Sequence, residues 1–206
     1  MLDALIALTE TGEFEDSGGF RLHALEQHVE ALALTLTARL GDDSPDQRWR
    51  IDCAGVQRFE LYEDWIDTVD TASEHPLLWD FTEPVVALHF YGPARDPLAV
   101  VGALYERHRA LAEDWIPFQR YLNPFPGGTS ALLRSSSGEL ASGPAPLVSA
   151  YAEVLAEHCV GCSHLPPRPA TIWKDQQWVA PPPLRALLLD RCFVVAETFS
   201  ASRTEV

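Results

Sequence analysis

The sequence predicts an α+β protein in which a mainly antiparallel sheet is packed by two principal helices. Three observations predict it. A buried strand at Val85–Tyr91 leads into an amphipathic helix at about 97–115, a second apolar helix follows at about 146–158, and apolar residues alternate in the first part of the chain. The 206 residues suit a single domain, 1–206, with an acidic β-rich half (1–95) and a helix-containing half (96–200).

The central stretch is the strand–helix pair that begins at Val85. The apolar run VVALHFY is closed by Gly92-Pro93, which is typical of a buried strand that ends in a turn. Asp96 can then cap a helix, and Pro97 fits its first position because the missing N–H would have had no partner there. We expect one buried stripe on this helix, formed by Val101, Leu104, Tyr105, His108, Leu111, Ala112 and Trp115.

The elements before this pair follow from hydrophobic periodicity. Residues 2–9 could form a short helix. The alternation of apolar residues with period two in 32–40 predicts a strand with one solvent-exposed face. Trp49, Ile51 and Cys53 predict the buried face of a second strand. Residues 75–81 are interpreted as a loop or a short edge strand, because Pro76 lies within them and Pro84 follows them.

The elements after the pair are more irregular. Residues 129–142 contain a Ser-rich turn and are interpreted as a hairpin or exposed loop. Residues 163–183 carry six prolines and two tryptophans, which favours a short hairpin or a covering flap over a long structureless loop. The β-branched and aromatic residues of 187–199 predict one buried strand.

The composition excludes several classes of protein. No run of about 18 uncharged apolar residues is present, and the N-terminus has an acid where a secretory signal would have basic residues. Four cysteines are too few for a disulfide scaffold, so we expect reduced thiols and a cytoplasmic location. Lys174 is the only lysine against 14 arginines, which indicates a GC-rich bacterial genome.

The charge is strongly negative and unevenly distributed. The net charge is −15, and residues 1–80 hold 18 Asp and Glu against 5 Arg. Such a field repels nucleic-acid phosphates and anionic lipid heads and attracts a basic protein partner, so we expect neither nucleic acid nor a membrane as partner. The alternative is that surface acids only keep the protein soluble.

One acidic cluster is the candidate partner-binding surface. Its members are Glu60, Glu63, Asp64, Asp67, Asp70 and Glu74. If this segment were helical, Asp64, Asp67 and Asp70 would share one side of the helix and could hold a hard cation. No glycine lies among them to make the turn that a calcium loop needs, so solvated acids are the preferred interpretation.

A second cluster carries metal-ligand residue types. His158, Cys159, Cys162 and His164 fall within seven residues, and zinc prefers thiolate and imidazole donors. Structural zinc usually uses two separated ligand pairs, so no metal site is favoured here and no cofactor is predicted. A redox role for the Cys-x-x-Cys pair is disfavoured because the pair follows the end of a helix, where the dipole opposes thiolate formation. The remaining interpretation is that the cysteines pack the helix end.

Histidines are the remaining candidates for chemistry. His89 on the central strand and His108 on the following helix could meet as an acid–base pair, although a histidine on an apolar face is more often a core residue. The sequence contains no hydrolase elbow, phosphate loop, dinucleotide fingerprint or H-E-x-x-H motif.

In general layout, the alternating strands of 32–40 and 49–61 in a small acidic chain resemble those of immunity proteins that neutralise toxins. The resemblance covers the first half of the chain and transfers no residues. It implies a non-enzymatic interaction protein that docks a basic partner. The alternative hypothesis is a small enzyme or zinc-binding protein that uses His89, His108 or the 158–164 cluster.

Overall fold

The computed structural model describes residues 2–10, 18–29, 31–40, 45–62, 64–174 and 176–204. Within them the protein is α+β with antiparallel sheets, which confirms the predicted fold class. The contacts divide the chain into two compact units, Met1–Leu78 with Pro182–Val206, and Trp79–Pro181. These limits do not coincide with the expected division at residue 95, and the single domain expected from length stays a prediction.

The first unit consists of a helix and two antiparallel sheets. The bounds are α1 Leu2–Glu10, β1 Gly19–His28, β2 Ala31–Arg39, β3 Gln47–Ala54, β4 Arg58–Glu60, β5 Trp65–Ile66, β6 Val69–Ala72, β12 Arg185–Leu189, β13 Cys192–Ala196 and β14 Thr198–Thr204, with a 3-10 turn at Pro76–Leu78. The five-stranded sheet has the order β14-β3-β2-β1-β5, and the four-stranded sheet has the order β4-β13-β12-β6.

The core of this unit follows from the alternation in β2 and β3. Leu34 pairs with Ile51 and Leu36 with Trp49, so one face of the five-stranded sheet is continuously apolar. This face shares one hydrophobic cluster with Val194 of β13 and with Leu5 of α1. The strands predicted at 32–40 and 49–53 are therefore confirmed.

The second unit is built from helices on one face of a three-stranded sheet, and it also contains a separate two-stranded ribbon. The bounds are α2 Trp79–Thr82, β7 Val85–Tyr91, α3 Pro97–Ala112, α4 Thr129–Leu132, β8 Ser137–Pro144, α5 Ala145–Glu157, β9 Gly161–His164, β10 Ile172–Lys174 and β11 Gln177–Val179, with a 3-10 turn at Phe118–Arg120. The sheet has the order β8-β7-β9, and the ribbon consists of β10 and β11.

The central strand and helix form as predicted. Asp96 caps α3 by accepting hydrogen bonds from the N–H groups of Leu98 and Ala99, and Pro97 occupies the first turn. The helix ends at Ala112 and not at 115, because Glu113 turns out of the helix with φ +50.

The buried stripe of α3 is narrower than predicted. It consists of Val100, Leu104, His108 and Ala112, spaced four apart along the side that contacts α5. Tyr105 and Leu111 were expected in the stripe but lie outside it, with 41% and 37% of their surface exposed. The Tyr105 ring instead packs edge-on against the Phe118 ring, with 5.4 Å between the ring centroids.

Three local predictions are wrong. Residues 75–81 form helical turns and no strand, beginning where the His75 Nδ1 accepts from the Leu77 N–H. Residues 129–142 form α4 and then β8, which pairs along the whole of β7. The apolar run 187–199 is β12, β13 and the start of β14, because Asp190 takes a positive φ of 52 and turns the chain back. The hairpin expected in the proline-rich segment is confirmed as β10-β11.

Candidate functional site

The acidic segment passes around the tip of the β12–β13 hairpin. On one side of the hairpin, Glu60 of β4 pairs with Phe193, and on the other side Val69 of β6 pairs with Leu189. Residues 61–62 and 64–68 therefore pass the two-residue turn at 190–191. We name residues 60–62 and 64–70 the acidic strap.

The Asp190 carboxylate fixes the middle of the strap. It accepts hydrogen bonds from the Asp67 N–H at 2.6 Å, from the Thr68 N–H at 3.0 Å and from the Thr68 hydroxyl at 2.7 Å. The Tyr62 hydroxyl adds a fourth contact by donating to the Arg191 carbonyl at 3.1 Å. Both residues of the turn, Asp190 and Arg191, therefore form hydrogen bonds with the strap.

Two aromatic side chains lie among the acids. The Trp65 indole N–H donates to Asp67 Oδ1 at 2.9 Å, and the Trp65 ring covers Gly19, where a Cβ would lie 2.7 Å from the ring. Trp65 is 40% exposed and Tyr62 is 59% exposed. Large aromatic residues that are fixed and still exposed are the residue type that anchors protein interfaces.

The carboxylates of the strap are not neutralised by neighbouring bases. Glu60, Asp64, Asp67 and Asp70 are exposed, and no Lys or Arg occurs between residues 59 and 94. In the part of the chain that the structure describes, none of these four carboxylates forms an ion pair, whereas exposed acids elsewhere do, as in the pair Arg50–Glu26. The strap therefore presents four exposed carboxylates that have no ion-pair partner among the described residues.

The other members of the predicted cluster fall outside this arrangement. Glu63 lies outside the described residues, and Glu74 is exposed two residues beyond the end of β6. The helix that would align Asp64, Asp67 and Asp70 does not form, because this segment pairs as the short strands β5 and β6. Asp67 and Asp70 also accept hydrogen bonds from within their own segment.

His108 is fully buried between α3 and α5. Its Nε2 lies 2.7 Å from the Ile116 carbonyl, which can only accept, so Nε2 carries the proton. The Tyr151 hydroxyl then donates to Nδ1 at 2.8 Å, and burial raises the pKa of Tyr151. Each ring nitrogen of His108 therefore has a hydrogen-bond partner. This is the role of a buried core histidine, which the sequence patterns indicate as the alternative to catalysis.

His89 lies on the other face of the three-stranded sheet. Leu88 and Phe90 belong to the core beneath the helices, so strand alternation directs His89 away from His108. The structure therefore does not bring the two histidines together. The cross-strand neighbours of His89 are Glu139 and Ser163.

The His89 imidazole lies beside the Glu139 carboxylate without a hydrogen bond between them. Its Nε2 lies 3.7 Å from Glu139 Oε2, which is too long for a hydrogen bond. Among the described residues no group hydrogen-bonds this buried nitrogen. The imidazole and the carboxylate are both more than one-third exposed.

The 158–164 cluster is spread over three local structures. His158 caps the end of α5, Cys159 follows with φ +57, and Cys162 and His164 lie on the edge strand β9. Cys162 packs against the core, where burial raises the pKa of its thiol. Across the described ranges, no group of three or more His, Cys, Asp or Glu side chains is arranged to hold a metal ion.

Sequence reasoning missed the residue that organises the strap. Asp190 sits in the apolar run LLLDRCFVV, and the polar pair Asp190-Arg191 in the middle of that run was the available signal for a hairpin turn. Its partners, Asp67 and Thr68, are 123 and 122 positions away, so no local pattern could pair them.

Comparison with models of known protein families, with curated proteins and with solved structures found no match for this chain. None of the described helices is both long enough and apolar enough to cross a membrane.

Proposed function

We propose that this chain is a non-enzymatic interaction protein that binds a basic protein partner through the acidic strap. The observation that carries the proposal is the set of exposed, unpaired carboxylates that Asp190 and the hairpin tip hold in one place. A fixed acidic patch attracts a positively charged surface at long range and raises the rate of encounter.

The aromatic residues of the strap supply what charge alone does not. Exposed ion pairs add little affinity because they remain hydrated, whereas desolvated Trp and Tyr side chains are frequent binding hot spots. Trp65 is already oriented by Asp67 and Gly19, so binding does not have to order it. Charge would bring the partner to the surface, and Tyr62 and Trp65 would anchor it.

The partner class that fits this surface is a basic toxin, such as a nuclease. A nuclease needs a basic surface to bind phosphates, and carboxylates on a rigid strap can occupy that surface in place of the nucleic acid. This activity would make the chain an immunity-type protein. The partner would be sought first among the basic products of neighbouring genes.

The test compares two variants with the same change in net charge. The strap variant carries Glu60→Gln, Asp64→Asn and Asp70→Asn, and the control carries Asp46→Asn, Glu106→Gln and Glu113→Gln, which are exposed positions off the strap. Binding of a labelled oligoarginine peptide, and of basic neighbouring gene products, is measured by fluorescence anisotropy at low and high salt.

We expect the strap variant to bind more weakly than the control, by between about 3-fold and about 100-fold, since three exposed charge pairs contribute roughly 0.2–1 kcal/mol each. The difference should shrink as salt shortens the Debye length from about 30 Å to about 10 Å. Equal losses in the two variants, or no binding at low salt, would contradict the proposal.

A second candidate function is acid–base catalysis at His89. It is favoured by the row Glu139, His89 and Ser163 across three neighbouring strands, which places an acid, a base and a hydroxyl side by side. The test is turnover of a nitrophenyl ester. Activity that His89→Gln and Ser163→Ala both abolish would support this candidate, and activity unchanged in both variants would end it.

A further inference from the structure

The two-stranded ribbon β10–β11 carries a pair of exposed tryptophans. Trp173 and Trp178 lie opposite each other in the register, with 5.3 Å between their ring centroids and 65° between their ring planes. The two side chains are nevertheless 60% and 66% exposed. A two-stranded ribbon is marginally stable alone, and this edge-to-face pair stabilises it. The pair also leaves a large aromatic surface in water, formed by two rings that meet at an open angle.

The segment that precedes the ribbon is rich in proline. It runs from Leu165 to Pro169 with the sequence LPPRP, and all five residues are exposed. Each proline holds its own φ at about −65°, and each residue before a proline is directed to extended backbone, so the segment favours the polyproline II conformation. Such segments are bound by surfaces lined with aromatic side chains. The chain therefore contains both a Trp pair and a segment of the type that Trp pairs bind.

The segment and the Trp pair do not meet within one molecule. The Leu165 N–H donates to the Ala87 carbonyl at 3.0 Å, and Arg168 and Val85 exchange backbone hydrogen bonds of 2.8 and 2.9 Å. These bonds hold both ends of the segment on β7, while its prolines stay exposed. A segment that is already held in an extended conformation loses little entropy when it binds. A second molecule can therefore bring this segment onto the two rings.

The charge of this region favours a second copy of the chain as the occupant. Residues 164–183 contain Arg168 and Lys174 against Asp175, a net charge of +1, whereas the whole chain carries −15. The rest of the chain therefore carries −16. This stretch is attracted to a second copy, whereas most of the chain is repelled by it, so contact through this stretch is the least opposed.

We propose that two copies of this chain associate reciprocally, with the segment Leu165–Pro169 of each copy docked on the Trp173–Trp178 pair of the other. A two-fold axis makes such an interface self-complementary, because each copy supplies one segment and one Trp pair. The contact lies in the second unit and goes beyond the proposed function of the acidic strap, which lies in the first unit.

The size of the contact predicts a weak dimer. A fully covered aromatic side chain buries about 150–250 Å², so four indoles that are about 60% exposed contribute roughly 400–600 Å². Together with the segments that cover them, the total does not exceed the roughly 1,200 Å² of the smallest stable interfaces. We expect a dissociation constant between about 1 μM and about 1 mM.

Sedimentation equilibrium of the full chain, from about 10 μM to about 1 mM, tests the association. We expect the mean mass to rise from that of one chain toward that of two as the concentration increases. Added salt should strengthen the dimer, because it screens the repulsion between two chains of net charge −15. Binding of a basic partner at the acidic strap should weaken with salt, so the two proposals can fail separately.

A pair of double variants assigns the association to the proline segment. Pro166→Ala with Pro167→Ala removes the docked prolines, and the matched control Pro124→Ala with Pro126→Ala changes two exposed prolines elsewhere in the second unit. We expect the first variant to weaken the dimer at least about ten-fold and the control to leave its dissociation constant within about two-fold of the wild-type value.

A peptide titration of the wild type keeps the proposal testable if a variant does not fold. The probe is a synthetic peptide of residues 164–170, HLPPRPA, and its control carries Pro166→Ala and Pro167→Ala, which leaves its charge unchanged. NMR follows the indole N–H signals of Trp173 and Trp178, and we expect both to shift more with the probe than with the control.

Three results would overturn the proposal. The first is a chain that stays monomeric at about 1 mM. The second is a dimer that Pro166→Ala with Pro167→Ala does not weaken more than the control variant does. The third is an equal shift of the two indole signals with both peptides.

Discussion

At the level of single side chains, His108 shows how a titratable residue can be a core residue. It is 1% exposed, and each ring nitrogen has one partner of the correct type. Removing either member of the pair His108–Tyr151 leaves a buried polar atom without a partner, and that desolvation outweighs the hydrogen bond itself.

We expect Tyr151→Phe to lower the free energy of unfolding by about 1–3 kcal/mol, because Nδ1 of His108 loses its donor. His108→Leu should lower it by at least as much, since it leaves both the Tyr151 hydroxyl and the Ile116 carbonyl unpaired. The double variant should lose less free energy of unfolding than the two single variants together, because both single variants remove the same Tyr151–His108 hydrogen bond. Urea unfolding measures all three, and strict additivity would contradict this account of the contact.

The buried thiol of Cys53 should make the free energy of unfolding fall at alkaline pH. Burial, assisted by the Asp52 charge, raises the pKa of its thiol from 9.0 to about 12. The folded state therefore holds a proton that the unfolded state has lost, and this contribution is complete below pH 9 and is lost as the pH rises through about 12. Its size is up to about 4 kcal/mol, at 1.36 kcal/mol per unit.

We expect the free energy of unfolding of the wild type to fall more steeply between pH 9 and 12 than that of Cys53→Val. Cys159→Ser is the matched control, because Cys159 is exposed and its replacement leaves the core unchanged. Parallel pH profiles for the wild type and Cys53→Val, measured by urea unfolding, would contradict the prediction.

At the level of secondary-structure elements, the acidic strap is stabilised by its contacts with the β12–β13 hairpin and not by contacts within the strap. Strands β5 and β6 contain two and four residues, too few to be stable alone, and Asp190 connects them to the hairpin. The strap should therefore open locally before either sheet unfolds.

Asp190→Asn should lower the stability of the strap by about 1–3 kcal/mol, since one of the two acceptor oxygens becomes a donor while the residue still tolerates its positive φ. Hydrogen exchange should accelerate at the Asp67 and Thr68 amides and stay unchanged at Ile51 in the core of β3. Unchanged exchange at Asp67 and Thr68 would show that the carboxylate does not hold the strap.

Two glycines of the second unit allow a comparison of close packing. A Cβ on Gly143 would lie 2.7 Å from the Tyr121 ring, and a Cβ on Gly161 would meet the Tyr91 ring more closely still. Tyr121 is held by a 2.6 Å hydrogen bond from its hydroxyl to Asp80, whereas Tyr91 is 57% exposed and can move aside.

Gly143→Ala should therefore lower the free energy of unfolding by about 1–3 kcal/mol, and Gly161→Ala should lower it by less, although its contact is shorter. Thermal unfolding of both variants tests the order. The reverse order would mean that Tyr91 is the more constrained ring.

For the chain taken as one object, the excess of acid should be visible in its response to salt. Self-repulsion in a protein with a net charge of −15 destabilises the folded state, and salt screens that repulsion. We expect the thermal midpoint to rise with added NaCl, by about 2–4 °C for each kcal/mol recovered. The rise should be smaller in the strap variant, and a midpoint that falls with salt would contradict the prediction.

The predictable part of the fold is the part that local chemistry determines. The Asp96-Pro97 cap, the run Val85–Tyr91 and the alternation in β2 each depend on neighbouring residues, and each is confirmed. The run 187–199 misled because β12 and β13, which are both apolar and largely buried, follow one another with only a tight turn between them. Periodicity alone cannot separate strands whose faces are all buried.

In the candidate site too, features that depend on neighbouring residues could be predicted and features that depend on distant residues could not. Composition was enough to find the acids of the strap, because they are close together in the chain. Their common position around the hairpin tip depends on the pairings Glu60–Phe193 and Val69–Leu189, which join distant parts of the chain.

The order of strands in the four-stranded sheet has a consequence for biosynthesis. Its outer strands, β4 and β6, leave the ribosome first, and its inner strands, β12 and β13, are made last. At about 5–20 residues per second, the 123 positions from Asp67 to Asp190 take roughly 6–25 s to translate. During that interval β4 and β6 lack their partner strands, so holding chaperones have time to act and the sheet can close only after β12 and β13 have been translated.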